Sequence, residues 1–305
     1  MSWSLGRTLL IANPVAQNGN GAAAAEHAAR VLRANVGEGS LDVALTQRPH
    51  HAVQLGRHAQ GYDTVVALGG DGIVHEIVNG LMDVPSAERP ALAVIPVGSG
   101  NDYARTLGMS FEVDAALRQL SDMALRSVDV GCCNGEHFVE TLSFGVDAAI
   151  ALDTVERRKR TGRTGTLLYL ESGIDQLFHH LDRYRYTASF EGGRPIEAFM
   201  YLFAVQIGPT YGGGFRICPD ARVDDGLLDT CIAHPPLSVP YATFLFLLAR
   251  KGRHTGFRQL EFRQASSLRL QFDRRPPVQI DGEPFIADEY EISLLPRALS
   301  VLMPA

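Results

Sequence analysis

Lysine is nearly absent from this chain of 305 residues, and cysteine is scarce. The two lysines, Lys159 and Lys251, lie far from the glycine-rich segments, and no G-x-x-x-x-G-K-[ST] pattern occurs, which excludes a Walker-type phosphate loop. The four cysteines show neither a CxxC pair nor zinc-ligand spacing, so we expect reduced, structural thiols.

Long apolar runs are absent as well. The longest apolar run that contains aromatic residues is Tyr241 to Ala249, which is interrupted by Thr243. It is far shorter than the roughly 20 residues that a membrane-spanning helix needs. The first residues show no secretory signal pattern, so we expect a cytoplasmic protein that does not span a bilayer. Because apolar residues surround its axis, the run itself is expected to form a buried core helix.

A global excess of positive charge is likewise missing. The chain has 28 basic and 34 acidic residues and a formal net charge of -6, so it has no general attraction to nucleic acid. Any attraction to an anionic surface must be local. Hydrophobic residues make up 46% of the chain and charged residues 20%, as in an ordinary globular protein, and the length favours two domains.

The first part of the chain alternates between continuous apolar runs and helical patterns, which predicts a parallel sheet with flanking helices. The predicted strands are Thr8 to Ala12, Leu41 to Leu45, Thr64 to Leu68 and Ala91 to Ile95, and the predicted helices are Ala22 to Leu32, His51 to Gln60 and Ile73 to Leu81.

After about Asp129 the pattern changes to alternating runs separated by Gly, Pro and Asp, which predicts a mostly antiparallel β domain. One substantial helix, Thr166 to His180, is expected before the first long hairpin. The predicted strands are Arg183 to Phe190, Ala198 to Ile207, Ser267 to Phe272 and Glu289 to Leu294.

Three glycine-rich loops, residues 13–21, 69–72 and 96–102, follow predicted parallel strands. Such loops share one sheet edge, where backbone N–H groups and helix N-termini converge. Glycines in any one loop can serve only a tight turn, but three loops on one edge, with Asp71 between glycines, predict a magnesium nucleotide as the ligand. A partial dinucleotide fingerprint at Gly19, Gly21 and Ala24 begins too late after its strand, which argues against an NAD(P) dehydrogenase.

Residues 69–76 (GGDGIVHE) resemble the GGDGTxNE signature that diacylglycerol kinases share with sphingosine kinases and NAD kinases. Residues 96–105 (PVGSGNDYAR) resemble the P-x-G-T-x-N-D-F-A-R segment of the bacterial lipid kinases. Further matches, in family order, are Asn13-Pro14, Val128 to Gly131, Pro219 to Asp229 (P-x-A-x-x-D-D-G-L-L-D) and Asp281 to Glu283. By these segments the chain resembles the diacylglycerol kinase catalytic-domain family, in its bacterial lipid kinase branch.

This resemblance implies an ATP-binding α/β domain over residues 1–128, to which residues 295–305 return, and a β-sandwich domain over residues 129–294 that takes the lipid. It implies an ATP- and Mg²⁺-dependent lipid kinase that transfers the γ-phosphate to the hydroxyl of a diacylglycerol-like lipid. Two alternatives remain: an NAD kinase-like activity on a soluble acceptor, and a catalytically weak nucleotide- or lipid-binding regulator of the same fold.

The resemblance also assigns residues. Asp71, Asp129 and Glu283 would form an acidic cluster in which Glu283 accepts the proton of the lipid hydroxyl. A structural Mg²⁺ would bind the carboxylate of Asp225 and main-chain oxygens near Arg222 and Leu227. The residues expected to line the nucleotide are Asn13, Thr46, Gly69, Gly70, Asp71, Gly72, Ile73, His75, Glu76, Gly98, Ser99 and Asn101.

Some of these positions have a simpler interpretation. Asp281-Gly282 is also typical of a hairpin turn, and residues 224–226 of an ordinary β-turn. Ile73 stands where the family has Thr and His75 where it has Asn, so a hydroxyl and an amide are absent from the nucleotide loop. His75 either replaces the Asn as a donor or caps and packs, and we favour packing.

A basic run of Arg157, Arg158, Lys159 and Arg160, with Arg163 close behind, resembles a variable loop near the lipid cleft of the family. Such a run predicts peripheral contact with the anionic inner face of the membrane, with a merely solvated loop as the alternative. The sequence leaves a homodimer open.

Overall fold

The structure is a computed structural model that describes residues 5–37 and 39–305. The chain divides into two compact units, Met1–Val128 with Arg297–Ala305, and Asp129–Pro296. No helix in these described ranges is long and apolar enough to cross a membrane.

A parallel sheet forms the centre of the first unit, with the strand order β2-β1-β3-β4. Val301, near the end of the last strand of the chain, pairs in parallel with Leu92. The elements are β1 (Thr8–Ala12), α1 (Gly21–Val36), β2 (Leu41–Leu45), α2 (His51–Arg57), β3 (Thr64–Gly69), α3 (Asp71–Met82), β4 (Ala91–Pro96), α4 (Asp102–Thr106) and α5 (Val113–Gln119). Strands β1 and β3 are buried throughout, as parallel strands covered on both faces should be. The predicted α/β class is confirmed.

Two antiparallel sheets build the second unit. In one, β13 lies between β8 and the beginning of β16, and β9 pairs with β8; the other has the order β12-β11-β10-β7-β14-β15. The elements, taken from Met123 onward, are β5 (Met123–Cys133), β6 (Glu136–Phe138), β7 (Thr141–Gly145), α6 (Val146–Thr161), α7 (Thr166–His179), β8 (Tyr184–Phe190), β9 (Ile196–Met200), β10 (Leu202–Gln206), β11 (Leu228–Ala233), α8 (Val239–Ala249), β12 (Leu260–Ala265), β13 (Ser267–Phe272), β14 (Val278–Ile280), β15 (Glu283–Pro284) and β16 (Glu289–Pro304).

A buried aromatic core joins the two sheets of the second unit. The Phe144 ring lies 4.8 Å from the Tyr290 ring, and the Tyr186 ring lies 5.5 Å from the Phe203 ring, in edge-on contacts between strands of different sheets. This packing confirms the expected β-sandwich. On β10, Ala204 alternates with Phe203 and therefore faces away from this core, toward a second core beneath helices α6, α7 and α8.

The strand predicted from Ala198 to Ile207 is wrong, because the chain changes sheets within it. Met200 pairs with Tyr184 in one sheet, whereas Leu202 pairs with Gly145 in the other. Two strands, β9 and β10, result. Local alternation carries no information about the partner strand, so the break could not be seen in the sequence.

The helices of the second unit were also predicted incompletely. Helix α6 begins directly at the end of β7, so the basic run lies in its last turns and not in a loop. Positive side chains are favourable at a helix C-terminus. Helix α8 is not a fully buried helix, because Phe244 and Leu247 are nearly half exposed whereas Leu245 is buried.

Candidate active site

The glycine-rich loops of the first unit meet at the carboxyl edge of its sheet. The backbone N–H of Asn13, after β1, donates to the carbonyl of Leu68 at 3.2 Å, and that of Val97, after β4, donates to the carbonyl of Gly69 at 2.7 Å. Thr46, after β2, donates its N–H to the carbonyl of Ala12 at 2.9 Å. The segments after β1, β2, β3 and β4 are thus neighbours, as expected for parallel strands.

The second and third loops approach each other closely at two glycines, Gly70 and Gly98. A Cβ built on Gly70 would lie 3.0 Å from the Cα of Gly98, so neither position has room for a side chain without a shift. Asn101 closes the third loop: its Oδ1 accepts the N–H of Gly98 at 2.8 Å, and its Nδ2 donates to the carbonyl of the same residue at 2.9 Å. Ser99 lies inside this closed loop and is half-buried.

Asp71 begins α3 and points at the third loop. Its Oδ1 accepts the N–H of Tyr103 at 3.2 Å, near the start of α4. A Cβ on Gly100 would lie 2.8 Å from Asp71 Oδ2. The carboxylate therefore lies beside uncovered backbone at the sheet edge, where it can bind a hard divalent cation together with phosphate oxygens.

Three predicted nucleotide residues on α3 take part in contacts within the protein. The Glu76 carboxylate accepts the N–H groups of His50 and Ala52, both at 3.0 Å, and so caps the start of α2. His75 is buried, and its carbonyl accepts a hydrogen bond from Asn79 Nδ2 at 3.0 Å. Ile73 is buried too, with its Cγ2 2.6 Å from where a Cβ on Gly69 would lie. Their contact with a nucleotide stays a prediction.

Asp129 fixes the turn that contains the predicted metal ligands. Its buried carboxylate accepts the N–H of Gly226 at 2.8 Å, and its own N–H donates to the carbonyl of Val223 at 2.7 Å. In the same turn Asp225 is exposed, and its Oδ1 accepts the N–H of Leu227 at 3.1 Å. The Arg222 guanidinium pairs instead with Asp224.

The donors in this turn fit a hard cation. Gly226 adopts a φ of 80°, a left-handed conformation that glycine takes readily and that lets the chain turn sharply after Asp225. Carboxylate and carbonyl oxygens are the ligands that Mg²⁺ and Ca²⁺ prefer. Within the described residues, no group of three or more His, Cys, Asp or Glu side chains forms a ready metal site. Main-chain oxygens would have to complete the set.

Asp281 and Gly282 do form a hairpin turn, with φ values of 46° and 90°, between β14 and β15. The Asp281 carboxylate accepts three backbone N–H groups, those of residues 139, 140 and 141, each at 3.0 Å. Glu283 follows the turn and is exposed. The hydrogen bonds of the Asp281 carboxylate therefore fix the turn to residues 139–141. Glu283 is the acidic side chain of this hairpin that is exposed to solvent.

The structure divides the predicted acidic residues between the units. Asp71 belongs to the first unit, and Asp129 and Glu283 belong to the second. Their joint role in an acidic cluster stays a prediction.

Two carboxylates with raised pKa values, Asp147 and Asp229, are not among the site residues that the sequence analysis predicts. Burial raises the pKa of Asp147, at the start of α6, to about 6, and the hydroxyls of Ser143, Tyr169 and Tyr211 oppose this shift. Burial also raises the pKa of Asp229 to about 6, against a hydrogen bond from Gln264. No motif marks Asp147, and only the helix layer over β7 and β10 makes it buried.

Comparisons with known proteins agree with this geometry. The model of the diacylglycerol kinase catalytic domain matches residues 7–133, and that of the YegS C-terminal NAD kinase beta sandwich-like domain matches residues 140–303. A probable lipid kinase YegS-like from Chromohalobacter salexigens is 33% identical over 267 residues, which are 87% of this chain and 84% of the relative. A diacylglycerol kinase from Bacillus subtilis is 29% identical over 247 residues, 80% of this chain and 78% of the relative.

Solved structures show the same fold. A putative diacylglycerol kinase from Bacillus anthracis superimposes with a TM-score of 0.81 at 23% identity, covering 98% of both chains. An NAD kinase from Archaeoglobus fulgidus in complex with ATP superimposes with a TM-score of 0.51 at 14% identity, covering 98% of this chain and 93% of the other. At these identities the likeness concerns the fold alone.

Proposed function

Since this chain belongs to the diacylglycerol kinase family of lipid kinases and is a phosphotransferase that acts on an alcohol group, we propose that its phosphate donor is ATP, its metal ion Mg²⁺ and its acceptor the free hydroxyl of a diacylglycerol-like lipid.

The observation that carries this proposal is the approach of Gly70 to Gly98 at the carboxyl edge of the first sheet. Loops that meet without side chains let a phosphate approach the backbone closely, and the N-terminus of a helix such as α3, which begins at this contact, presents backbone N–H groups that bind phosphate oxygens. Asp71 adds a carboxylate directly beside them. Asp71 would hold Mg²⁺, and a bound Mg²⁺ would neutralise negative charge on the phosphates during transfer.

Transfer forms a bond between the lipid oxygen and the γ-phosphorus and breaks the bond from that phosphorus to the oxygen that bridges it to the β-phosphate. The proton of the hydroxyl must go to an acceptor. We assign this role to Glu283, because it is an exposed carboxylate on a turn whose other acidic residue, Asp281, already accepts three hydrogen bonds. No nucleophilic side chain is required.

A second, structural Mg²⁺ is proposed at the turn of residues 222–227. The Asp225 carboxylate and the main-chain oxygens of Arg222 and Leu227 would hold it, and Asp129 would keep the turn in place through Gly226. The ion would bind only the folded turn and would therefore stabilise it.

We further propose that the enzyme works from the cytoplasm at the inner face of the membrane. Within the basic run, Arg157 pairs with Asp153 and Asp175, and Lys159 pairs with Glu156. Arg158 and Arg160 have no ion pair among the described residues, so they are the members of the run best suited to meet anionic lipid.

The experiment is transfer of labelled γ-phosphate from ATP to a panel of lipids in mixed micelles, with NAD as a soluble acceptor and EDTA as the blank. A labelled lipid that depends on Mg²⁺ supports the proposal and begins to define the acceptor. Labelled NADP would move the assignment to an NAD kinase-like reaction. Bound ATP without any product would leave a nucleotide-binding relative with little catalytic power.

A further inference from the structure

Helices α7 and α8 expose large apolar side chains. Leu167, Ile174 and Phe178 of α7 and Phe244 and Leu247 of α8 are between 38% and 68% exposed. Their spacings, seven and four residues on α7 and three on α8, place the members of each set on one face of its helix. Exposed large apolar residues are ordinary when scattered singly, but two continuous faces are not.

The two exposed faces belong to one helical layer. A Cβ on Gly173 of α7 would lie 2.2 Å from the ring of Phe246 of α8, so the helices are in close contact. Tyr169 of α7 and Ala242 of α8 are buried in the same core as Ala204 of the sheet beneath. Because the buried faces both turn toward that sheet, the opposite faces of both helices turn away from it.

Cations lie at one end of this layer. Thr166 Oγ1, at the start of α7, donates to the carbonyl of Gly213 at 3.2 Å, and the N–H of Arg216 donates to the carbonyl of Ala249, at the end of α8, at 3.0 Å. Segment 213–216 thus joins the start of α7 to the end of α8. The end of α6 precedes the start of α7 by a short turn, so the C-terminal ends of α6 and α8 share this end of the layer.

The basic residues there divide into paired and unpaired groups. Glu171, on the exposed face of α7, is matched by Arg163, whose two terminal nitrogens lie 2.6 Å and 2.9 Å from its carboxylate oxygens. In contrast, the structure shows no ion pair to any described residue for Arg158, Arg160, Arg250, Lys251 and Arg253. This excess of positive charge is local, since the whole chain carries a net charge of -6.

We propose that this face of α7 and α8, bordered by the unpaired cations at the ends of α6 and α8, is a docking surface for an anionic lipid bilayer. Apolar side chains that enter the headgroup boundary and cations that meet anionic headgroups are the two contributions by which proteins bind such a surface. This inference rests on the proposed lipid acceptor, which resides in a bilayer. It differs from the basic run alone, because it assigns the main contact to Phe178, Phe244 and Leu247.

A cavity of about 70 Å³ lies directly under the same helices and supports a lipid as the occupant. Its lining is mostly apolar and includes Ile150, Leu177, Leu245 and Phe246, with Asp147 and His254 as its ionisable members. A protein partner would need no apolar space beneath the surface that it covers.

The test is co-sedimentation of the full chain with phosphatidylcholine vesicles, prepared with and without phosphatidylglycerol. The double variant Phe178→Gln/Leu247→Gln is expected to lower partitioning to anionic vesicles about tenfold or more, because both side chains are already exposed and only their contact with the bilayer is lost. Leu125→Gln, at an exposed leucine on β5, is the matched control and is expected to bind like the wild type.

The charge contribution is tested by Arg250→Gln/Lys251→Gln. This variant is expected to show a weaker preference for anionic over zwitterionic vesicles, since it removes two of the five unpaired cations. Raising the ionic strength to about 1 M should abolish the preference of the wild type, because the Debye length falls to about 3 Å and the charges are then screened. Arg185→Gln/Arg269→Gln removes the same charge from paired positions and should keep the preference.

The outcomes separate docking from catalysis. On a short-chain diacylglycerol dissolved as monomers, the Phe178→Gln/Leu247→Gln variant should turn over like the wild type. Binding to anionic vesicles that is equal for the wild type, Phe178→Gln/Leu247→Gln and Arg250→Gln/Lys251→Gln overturns the docking surface while leaving the proposed function intact. Vesicle binding without any lipid phosphorylation would overturn the function instead. A wild-type dimer that Phe178→Gln/Leu247→Gln converts to a monomer would reassign this face to a second copy of the chain.

Discussion

Gly70 and Gly98 lie so close together that a Cβ on Gly98 would be 2.3 Å from the Cα of Gly70. At this point the two loops of the proposed nucleotide site touch through main-chain atoms. Main chain cannot move aside as the end of a flexible side chain can, so this contact fixes the spacing of the loops.

Gly98→Ala is expected to separate the two loops. The added methyl group meets the Cα of Gly70 and also Asn101 Oδ1 at 2.6 Å, so we expect a loss of stability of about 1–3 kcal/mol and a KM for ATP raised about tenfold or more. Gly256→Ala is the control, since a Cβ there meets nothing within 4 Å. Chemical denaturation and initial rates check both; an unchanged KM in Gly98→Ala would count against the assignment of these loops.

Asp281→Asn should destabilise the protein and lower kcat together. An amide cannot accept the three N–H groups of residues 139–141 as the carboxylate does, so about 1–3 kcal/mol of stability should be lost and the turn that presents Glu283 should loosen. Thermal denaturation and kinetics with the lipid acceptor measure the two effects. Full activity in a destabilised variant would show that the turn does not position Glu283.

Much of the fold could be predicted because it is encoded in short runs. Strands β1 and β13 begin and end at the predicted residues, since each is a run whose periodicity is complete within itself. The change of sheets at Tyr201 and the start of α6 directly after Gly145 depend on partners elsewhere in the chain. No local pattern contains them.

The candidate site divides in the same way. The loops around Asp71 and Asn101 follow from strand, glycine and helix spacing. The hydrogen bonds from the N–H groups of residues 139–141 to the Asp281 carboxylate join positions some 140 residues apart. The burial of Asp147 requires the helices that pack over its sheet. These arise from tertiary packing, which the sequence pattern alone does not specify.

Mg²⁺ should raise the thermal stability of the wild type through the turn of residues 222–227. Asp225→Asn should abolish this increase in Tm, because it removes the negative charge on the proposed ligand. Asp224→Asn is the matched control: its exposed carboxylate is adjacent but paired with Arg222, so the increase should persist. Equal responses in both variants would place the ion elsewhere.

Asp147→Asn should stabilise the protein at neutral pH. The folded-state pKa of about 6 lies above the ordinary value of 3.8, so the folded state holds a proton in this window that the unfolded state has released. The stability from this group is full below about pH 4 and is lost as the pH rises through 6. At about 1.4 kcal/mol for each unit of pKa, the ionised carboxylate costs about 3 kcal/mol at pH 7.

The comparison of wild type with Asp147→Asn isolates this carboxylate, since Asp229 titrates in the same range in both proteins. Urea denaturation across pH 4 to 8 should give free energies of unfolding that agree near pH 4 and diverge as the pH rises, with the variant the more stable. A constant difference at every pH would mean that Asp147 does not titrate on folding.

The most direct test of the whole account is single-turnover transfer of γ-phosphate from ATP to the lipid acceptor by the wild type, Glu283→Gln and Glu26→Gln. Glu283 and Glu26 are both exposed, so neither variant should lose stability. We predict that Glu283→Gln lowers the rate of transfer about 100-fold or more with an unchanged Tm, because the proton of the hydroxyl then has no acceptor. Glu26→Gln should match the wild type. Transfer by Glu283→Gln at the wild-type rate would contradict the proposed chemistry.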